Sequence, residues 1–251
     1  MPNLPSLRRD ILSLSENLRQ RGLLSTTRAV VSGTVLRPFR HYLDGAFDRR
    51  WGTETAGIVR LADLQIPSDN RRFGIWYEPM PVDALRRILD TLDVTRYPVF
   101  IDYGSGKGRV LMVASQYGFR TVLGVEFSPA LHRIAERNIQ IYSGQQQGRV
   151  GIRSICMDAV DFVPPPEPCV LFFYSPFRQK VLRQVLGRIE DSVARHPRPL
   201  ALAFFGLNPQ AIACLDALGW RRRELQPIWN PSRVIQYRAL TYEAEMSLTA
   251  D

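Results

Sequence analysis

The stretch that decides the fold runs Val99-Phe100-Ile101-Asp102-Tyr103-Gly104-Ser105-Gly106-Lys107-Gly108-Arg109-Val110. An apolar run ends in the carboxylate of Asp102, and three glycines then alternate with other residues before an apolar helical pattern begins. This order predicts a buried strand, a tight turn with few side chains and the N-terminus of a helix. Nucleotide-like cofactors bind at such turns in open α/β sheets, because bare backbone lets them approach the strand ends closely.

The spacing of the glycines separates this turn from two other phosphate-binding loops. Gly104, Gly106 and Gly108 follow the pattern D-x-G-x-G-x-G, whereas a dinucleotide fingerprint has G-x-G-x-x-G. A P-loop needs Gly-Lys-Ser/Thr after a four-residue gap, which is missing here. Glycine-rich turns also occur as plain structural corners, so the turn alone does not identify a cofactor.

Three further predicted strands end in polar or aromatic groups. The second strand ends at Glu126, whose carboxylate can accept hydrogen bonds from both hydroxyls of a ribose, and the next residue, Phe127, can lie against an adenine ring. The third leads to Asp158 and Ala159, where the acid could reach the adenine amino group. The fourth runs into the corner Tyr174-Ser175-Pro176-Phe177.

These four motifs, in this order and at this spacing, resemble those of the class I S-adenosylmethionine-dependent methyltransferases over roughly residues 76–242. The resemblance implies an α/β fold: a Rossmann-like, seven-stranded, mostly parallel sheet with an antiparallel terminal strand and helices on both faces. It also implies S-adenosylmethionine as cofactor. The glycine loop resembles that of a group of largely uncharacterised bacterial methyltransferases. Together with Trp76-Tyr77-Glu78-Pro79, it resembles more distantly the non-SET histone lysine methyltransferases.

Apolar spacing predicts the helices and a terminal hairpin. An amphipathic helix is expected from about Val82 to Leu92, before the glycine loop, and crossover helices are expected between the strands. Pro129 lies near the start of one of them, where its missing N–H costs nothing. The segments on either side of Asn230-Pro231-Ser232 are expected to form a hairpin, whose last strand the resemblance makes antiparallel.

The chain is expected to divide into an N-terminal helical extension or cap, residues 1–70, and a methyltransferase core, residues 71–251. Apolar residues at helical spacing from Leu7 to Leu18 predict an amphipathic helix in the extension. The segment Phe47–Thr55 is rich in groups that could close over a pocket. Two interpretations stay open for the extension: a lid that recognises the substrate, or a helical collar that only covers one side of the core.

Composition limits the remaining possibilities. The chain has 251 residues, of which 45% are hydrophobic, so it can bury one large core plus an accessory segment. No apolar run approaches the roughly eighteen residues of a membrane span, and charged residues between Arg8 and Glu16 argue against a signal peptide. Cys156, Cys169 and Cys214 lie in apolar runs without metal-type spacing, which predicts a reduced, cytoplasmic location. The histidines are far apart in sequence, so no metal is expected.

The net charge of +9 invites a nucleic-acid interpretation. Two observations weigh against it. Lys107 and Lys180 are the only lysines, and the positive charge divides between the N-terminal region and the core. The sharpest cluster, Arg221-Arg222-Arg223, is expected at a solvated strand end.

The resemblance implies a role for each motif. Because a sulfonium methyl group is already activated, the protein must mainly align the reacting atoms and exclude water. The candidate cofactor-binding residues are Asp102, for the ammonium group; Gly104, Ser105, Gly106 and Gly108, around the amino-acid end; Glu126, for the ribose; and Phe127, Asp158 and Ala159, around the adenine. The candidate catalytic residues are Tyr174, Ser175, Pro176 and Phe177, at the acceptor corner, and Tyr77, which with Trp76 completes an aromatic wall.

The acceptor is predicted to be a nitrogen of a protein side chain or a small amine. Methyltransferases acting on adenine or on glutamine amides carry Asn/Asp-Pro-Pro-Tyr/Phe at this corner. Tyr174-Ser-Pro-Phe177 lacks the first proline and the amide or carboxylate, which weighs against base methylation. Two alternatives stay open: a nucleic-acid methyltransferase, and a non-catalytic cofactor-binding module that binds RNA or protein.

Overall fold

The computed structural model describes residues 45–145, 151–206, 209–225, 228–230, 235–237 and 239–243. The amphipathic helix predicted between Leu7 and Leu18 lies outside these ranges. Residues 45–51 are helical and lead into the segment that precedes the core. Within the described ranges, no helix is both long and apolar enough to cross a membrane.

Seven strands form one central sheet, and two more form a short ribbon. The described strands are β1 (Val99–Tyr103), β2 (Thr121–Glu126), β3 (Gly151–Cys156), β4 (Cys169–Tyr174), β5 (Leu200–Phe205), β6 (Arg221–Glu224), β7 (Ile228–Asn230), β8 (Ile235–Tyr237) and β9 (Ala239–Glu243). The order in the large sheet is β3-β2-β1-β4-β5-β9-β6. β1 to β5 are parallel, whereas β9 runs antiparallel to β5 and β6. This confirms the predicted sheet and its antiparallel terminal strand.

Helices cover both faces of the sheet, as predicted. They are α1 (Val82–Leu89), α2 (Arg109–Ala114), α3 (Pro129–Gln145), α4 (Gln179–Arg195) and α5 (Pro209–Asp216). One core cluster joins α1 and α2 to Phe100, and another joins α4 and α5 to Ile101. Successive side chains of β1 thus enter opposite cores, which is why its sequence is apolar throughout and not alternating.

α1 ends at Leu89, three residues before the predicted end. The hydroxyl of Thr91 donates a hydrogen bond to the carbonyl of Ile88 at 2.7 Å, and the chain then turns towards β1. A side chain that competes for helix carbonyls favours a helix end over another helical turn.

The predicted C-terminal hairpin is present but divided into two ladders. β6 pairs with β9 with Arg221 opposite Glu243, and β7 pairs with β8 with Ile228 opposite Tyr237. Glu224 lies opposite Leu240 in the first ladder and Ile228 opposite Tyr237 in the second, so the pairing shifts by one position between them. All four residues of β6, including the three arginines, are exposed at the edge of the sheet, as expected for a solvated strand.

One buried hydroxyl in the core lacks a hydrogen-bond partner among the described residues. Tyr103 stacks on Phe173 with ring centroids 4.7 Å apart, and its Oη is buried and unbonded. By contrast, the equally buried Tyr142 accepts a hydrogen bond from Nε2 of Gln116 at 2.9 Å. Because burying an unbonded hydroxyl costs free energy, the two tyrosines contribute differently to stability.

We expect Tyr103→Phe to leave the free energy of unfolding unchanged or to raise it by about 1 kcal/mol, since the aromatic stack stays and only the unbonded hydroxyl is lost. Tyr142→Phe, the matched control, should lower it by about 1 kcal/mol. Urea unfolding of both variants measures the difference. A clear loss of stability in Tyr103→Phe would contradict this account of the core.

Candidate active site

A cavity of about 260 Å³ opens where β1, β2 and β4 end. Here β1 has β2 on one side and β4 on the other, which is the switch point where ligands bind in open α/β sheets. Every residue predicted from the sequence lines this cavity except Gly108: Tyr77, Asp102, Gly104, Ser105, Gly106, Glu126, Phe127, Asp158, Ala159, Tyr174, Ser175, Pro176 and Phe177.

The glycine loop is tightly enclosed by its neighbours. Gly104, Gly106 and Gly108 have φ angles of 83°, 54° and 85°, which L side chains rarely adopt. A Cβ on Gly104 would lie 2.6 Å from Cβ of Pro176, and one on Gly106 would lie 2.3 Å from the ring of Tyr77. Gly108 instead faces α3, where an added Cβ would lie 3.3 Å from Cβ of Ala135. The first two glycines therefore shape the cavity, and the third packs a helix against the loop.

Two buried carboxylates line the cavity beside the glycine loop. Asp102 and Glu126 are only 2% and 3% exposed. Glu126 accepts hydrogen bonds from the backbone N–H groups of Gly106 at 2.8 Å and Ser128 at 2.9 Å. Burial nevertheless raises the pKa of Glu126 to about 7. Burial, and secondarily the charge of Glu126, hold the pKa of Asp102 well above its usual range. A ligand that brings positive charge or hydrogen-bond donors would stabilise both carboxylates.

A buried hydroxyl adds to the polar lining. Ser105 is 4% exposed, and its Oγ has no hydrogen-bond partner within the described part of the chain. It lies in the same cavity as the two carboxylates. Bare backbone, two acids and an unbonded hydroxyl fit the amino-acid end and the ribose of S-adenosylmethionine.

The residues predicted to lie around the adenine, Phe127, Asp158 and Ala159, line the cavity, and Asp158 has further hydrogen-bond partners. Phe127 packs in a small apolar cluster that also contains Leu131. The carboxylate of Asp158 accepts hydrogen bonds from the hydroxyl of Ser68, from Nδ2 of Asn70 at 3.0 Å and from the N–H of Val160 at 3.1 Å. Asp158 therefore also ties the segment before the core to the end of β3, which the sequence analysis did not predict.

The acceptor corner after β4 has a strained backbone. Ser175 is the one non-glycine residue with positive φ in the described ranges, at 39°. Its hydroxyl donates to the carbonyls of Phe205, at 3.1 Å, and Gly206 at the end of β5. Phe177 pairs with Gly74 in an isolated β-bridge, and Tyr174 is half-buried against Phe205. Strain held by neighbouring structure is typical of functional sites.

Thr55 and Ala56, which precede the core, accept hydrogen bonds from two cations in and next to the glycine loop. Lys107 donates to the carbonyl of Ala56 at 3.0 Å, and its ammonium lies 5.6 Å from the ring centroid of Tyr77. Arg109, which is 3% exposed, lines the cavity and donates from Nε to Oγ1 of Thr55 at 2.7 Å. Neither cation was assigned a role from the sequence, although both alternate with the glycines.

Comparison with known proteins gives one family match. Residues 75–160 match the model described as Histone methylation protein DOT1. The match spans 86 of the 251 residues and includes Trp76–Pro79, the glycine loop, Glu126 and Asp158. A search of curated proteins finds no match.

Solved structures identify the fold. The methyltransferase domain of bacterial CtHen1-C superposes with a TM-score of 0.50 at 13% identity, covering 66% of this chain and 98% of that domain. The chain has the class I S-adenosylmethionine-dependent methyltransferase fold. Magnesium protoporphyrin IX methyltransferase from Synechocystis PCC 6803, with bound S-adenosylmethionine, is 13% identical, with a TM-score of 0.48 over 84% of this chain and 97% of that one. The Burkholderia thailandensis 1,6-didemethyltoxoflavin N1-methyltransferase, with bound S-adenosylhomocysteine, is 16% identical, with a TM-score of 0.46 over 64% and 78%.

The DOT1 match and the methyltransferase fold together support S-adenosylmethionine-dependent methyl transfer, with S-adenosylmethionine as the cofactor. They confirm the resemblance drawn from the four motifs. They leave the acceptor open.

The raised pKa of Glu126 predicts a pH-dependent stability. In the cofactor-free chain its pKa is about 7, against an ordinary value of 4.5, so the folded state favours the protonated acid. The free energy of unfolding should fall as the pH rises from about 4.5 to 7, by roughly 3 kcal/mol from this group alone. Asp102 contributes in the same direction. Urea unfolding between pH 5 and 8 should show a shallower decline in Glu126→Gln, because the amide does not titrate; identical slopes would contradict the assignment.

Proposed function

We propose that this chain transfers the methyl group of S-adenosylmethionine to a nitrogen of a protein side chain or a small amine. The observation that carries the proposal is the cavity in which two buried carboxylates, Asp102 and Glu126, lie against a left-handed glycine loop at adjacent strand ends. The DOT1 match favours a protein acceptor, because that family is described as a histone methylation protein.

Each part of the cofactor has a complementary group in the cavity. Asp102 binds the ammonium group, and the guanidinium of Arg109 binds the carboxylate of the same amino-acid end. Glu126 accepts hydrogen bonds from the ribose hydroxyls, while Phe127 and Ala159 flank the adenine. When bound, the cofactor supplies a methyl group on a positively charged sulfur, which is already activated for displacement.

The remaining residues prepare the acceptor. Ser175 holds the corner after β4 in its strained conformation, so that Tyr174 and the corner backbone orient the acceptor nitrogen. Tyr77 and Trp76 form an aromatic wall that excludes water. A lysine amine has an ordinary pKa of about 10.4, and a desolvated site lowers it, so the neutral nucleophile is more abundant. The nitrogen lone pair forms the new N–C bond as the C–S bond breaks, and the amine proton passes to solvent.

Calorimetric titration with S-adenosylmethionine tests the proposal. The unaltered chain should bind S-adenosylmethionine and S-adenosylhomocysteine and should not bind NAD. Glu126→Ala should weaken binding by about tenfold to a hundredfold, because it removes charge-assisted hydrogen bonds to the ribose. Glu136→Ala, which removes an acid that is 53% exposed on α3, is the matched control and should bind normally.

Labelled methyl transfer to protein and amine acceptors follows from a positive titration. A chain that binds cofactor but releases no S-adenosylhomocysteine with any acceptor would instead be a cofactor-binding module. Absence of S-adenosylmethionine binding by the folded chain would refute the proposal.

A nucleic-acid acceptor is the second candidate, and exposed cations close in sequence to residues that line the cavity favour it. Arg72 and Lys180 each lie about 5 Å from the ring of Phe73, at 4.9 and 5.0 Å. Both are exposed, and neither forms an ion pair within the described part of the chain. Trp76, which also lines the cavity, is 52% exposed. Cations beside exposed aromatic rings are typical of surfaces that bind single-stranded nucleic acid.

The double variant Arg72→Glu/Lys180→Glu distinguishes the two acceptor classes. If the acceptor is a nucleic acid, fluorescence anisotropy should show salt-dependent binding of single-stranded RNA that falls at least about tenfold in this variant. Arg153→Glu, which changes an exposed cation on β3, should have little effect. Equal binding by both variants, or no methyl incorporation into RNA, would leave the protein or amine acceptor as the candidate.

A further inference from the structure

The carboxylate of Asp48 bonds to several residues of the segment before the core. Asp48 accepts hydrogen bonds from the hydroxyls of Thr53 at 2.8 Å and Thr55 at 2.7 Å. It also accepts from the backbone N–H groups of Thr55, at 2.8 Å, and Ala56, at 2.7 Å. One side chain thus bonds to three of the four residues between 53 and 56.

Thr55 links Asp48 to two residues that line the cavity, Arg109 and Tyr77. It is fully buried, and its Oγ1 accepts a hydrogen bond from Nε of Arg109 at 2.7 Å. Its carbonyl accepts a hydrogen bond from the hydroxyl of Tyr77 at 2.5 Å. The guanidinium of Arg109 also lies 4.0 Å from the carboxylate of Asp48, so Arg109 contacts both Thr55 and Asp48.

The network attaches at the amino-acid end of the proposed cofactor site. The ring of Tyr77 lies over Gly106, and Arg109 follows the glycine loop directly. No described contact of Asp48 or Thr55 reaches the residues around the adenosine, which are Glu126, Phe127, Asp158 and Ala159. Asp48 and Thr55 therefore reach the adenosine residues only through Tyr77, which packs in the same apolar cluster as Phe127, whereas they contact Arg109 directly.

We propose that Asp48 and Thr55 are positioning residues that hold Arg109 and Tyr77 in place and thereby set the affinity for the amino-acid half of the cofactor. This inference rests on the proposed function. An arginine has a long side chain with many rotamers, so a guanidinium fixed before binding loses less entropy when it meets a carboxylate. Loosening the network weakens contacts to the amino-acid half and leaves the adenosine half unchanged.

Two ligands that differ only in the amino-acid half provide the test. S-adenosylhomocysteine carries it, and 5′-methylthioadenosine lacks it. In Thr55→Val, which keeps the size of the side chain and removes its hydroxyl, the affinity for S-adenosylhomocysteine should fall about tenfold. The affinity for 5′-methylthioadenosine should stay within about twofold of the unaltered chain.

Matched variants distinguish a positioning role of Thr55 from an effect of the substitution on folding. Thr55→Ser keeps the hydroxyl and should restore the affinity for S-adenosylhomocysteine. Thr95→Val removes a threonine hydroxyl that bonds to Asp93 outside this network and away from the cavity lining, and both affinities should be unchanged. If Thr55→Val does not give the circular dichroism of a folded chain, Asp48→Asn takes its place, with the same selective loss expected.

Equal losses for the two ligands, or no loss for either, would overturn the positioning role while leaving the proposed function intact. An unaltered chain that binds neither ligand would overturn both. Calorimetry with the full chain thus distinguishes failure of this inference from failure of the proposed function.

Discussion

The return of the glycine loop onto the end of β2 is the constraint on which the site depends. The N–H groups of Gly104 and Ser105 both donate to the carbonyl of Val125, at 2.8 and 3.1 Å, and the N–H of Gly106 donates to Glu126. These bonds hold the loop in a left-handed conformation that glycine adopts at little cost. Because the loop has little side-chain bulk, three groups can approach it closely: Pro176 after β4, the ring of Tyr77, and Ala135 of α3.

The acidic and the basic side chains around the glycine loop have different surroundings. Asp102 and Glu126 line the cavity, where burial raises the pKa of both carboxyl groups. Lys107 and Arg109 instead bond to Ala56 and Thr55. If the cations paired with the acids, the site would be neutralised before any ligand arrived. Because each cation has partners of its own, the carboxylates stay available for an incoming charge or donor, and the free chain carries the cost as lower stability.

The fold and about half of the cavity lining could be predicted from the sequence, because strand-end acids at family spacing fix which ends lie together. Apolar runs and helical periodicity located the strands and helices, but the strand order came from the resemblance. The Arg109–Thr55 and Asp158–Asn70 contacts could not be predicted, since they join residues 54 and 88 positions apart. Hydrophobic patterns report which positions are buried, and they carry no information on which polar groups meet across such distances.

The exposed arginines of β6 lie on the last strand in the order of the described sheet. Among the described strands β6 is an outermost one, so one side of its backbone has no described neighbour in the sheet, and such edges are templates for pairing with another chain. Arg221, Arg222 and Arg223 would meet the same three side chains on a second copy that approached in parallel and in register. This positive cluster thus opposes fibril-like growth of the sheet.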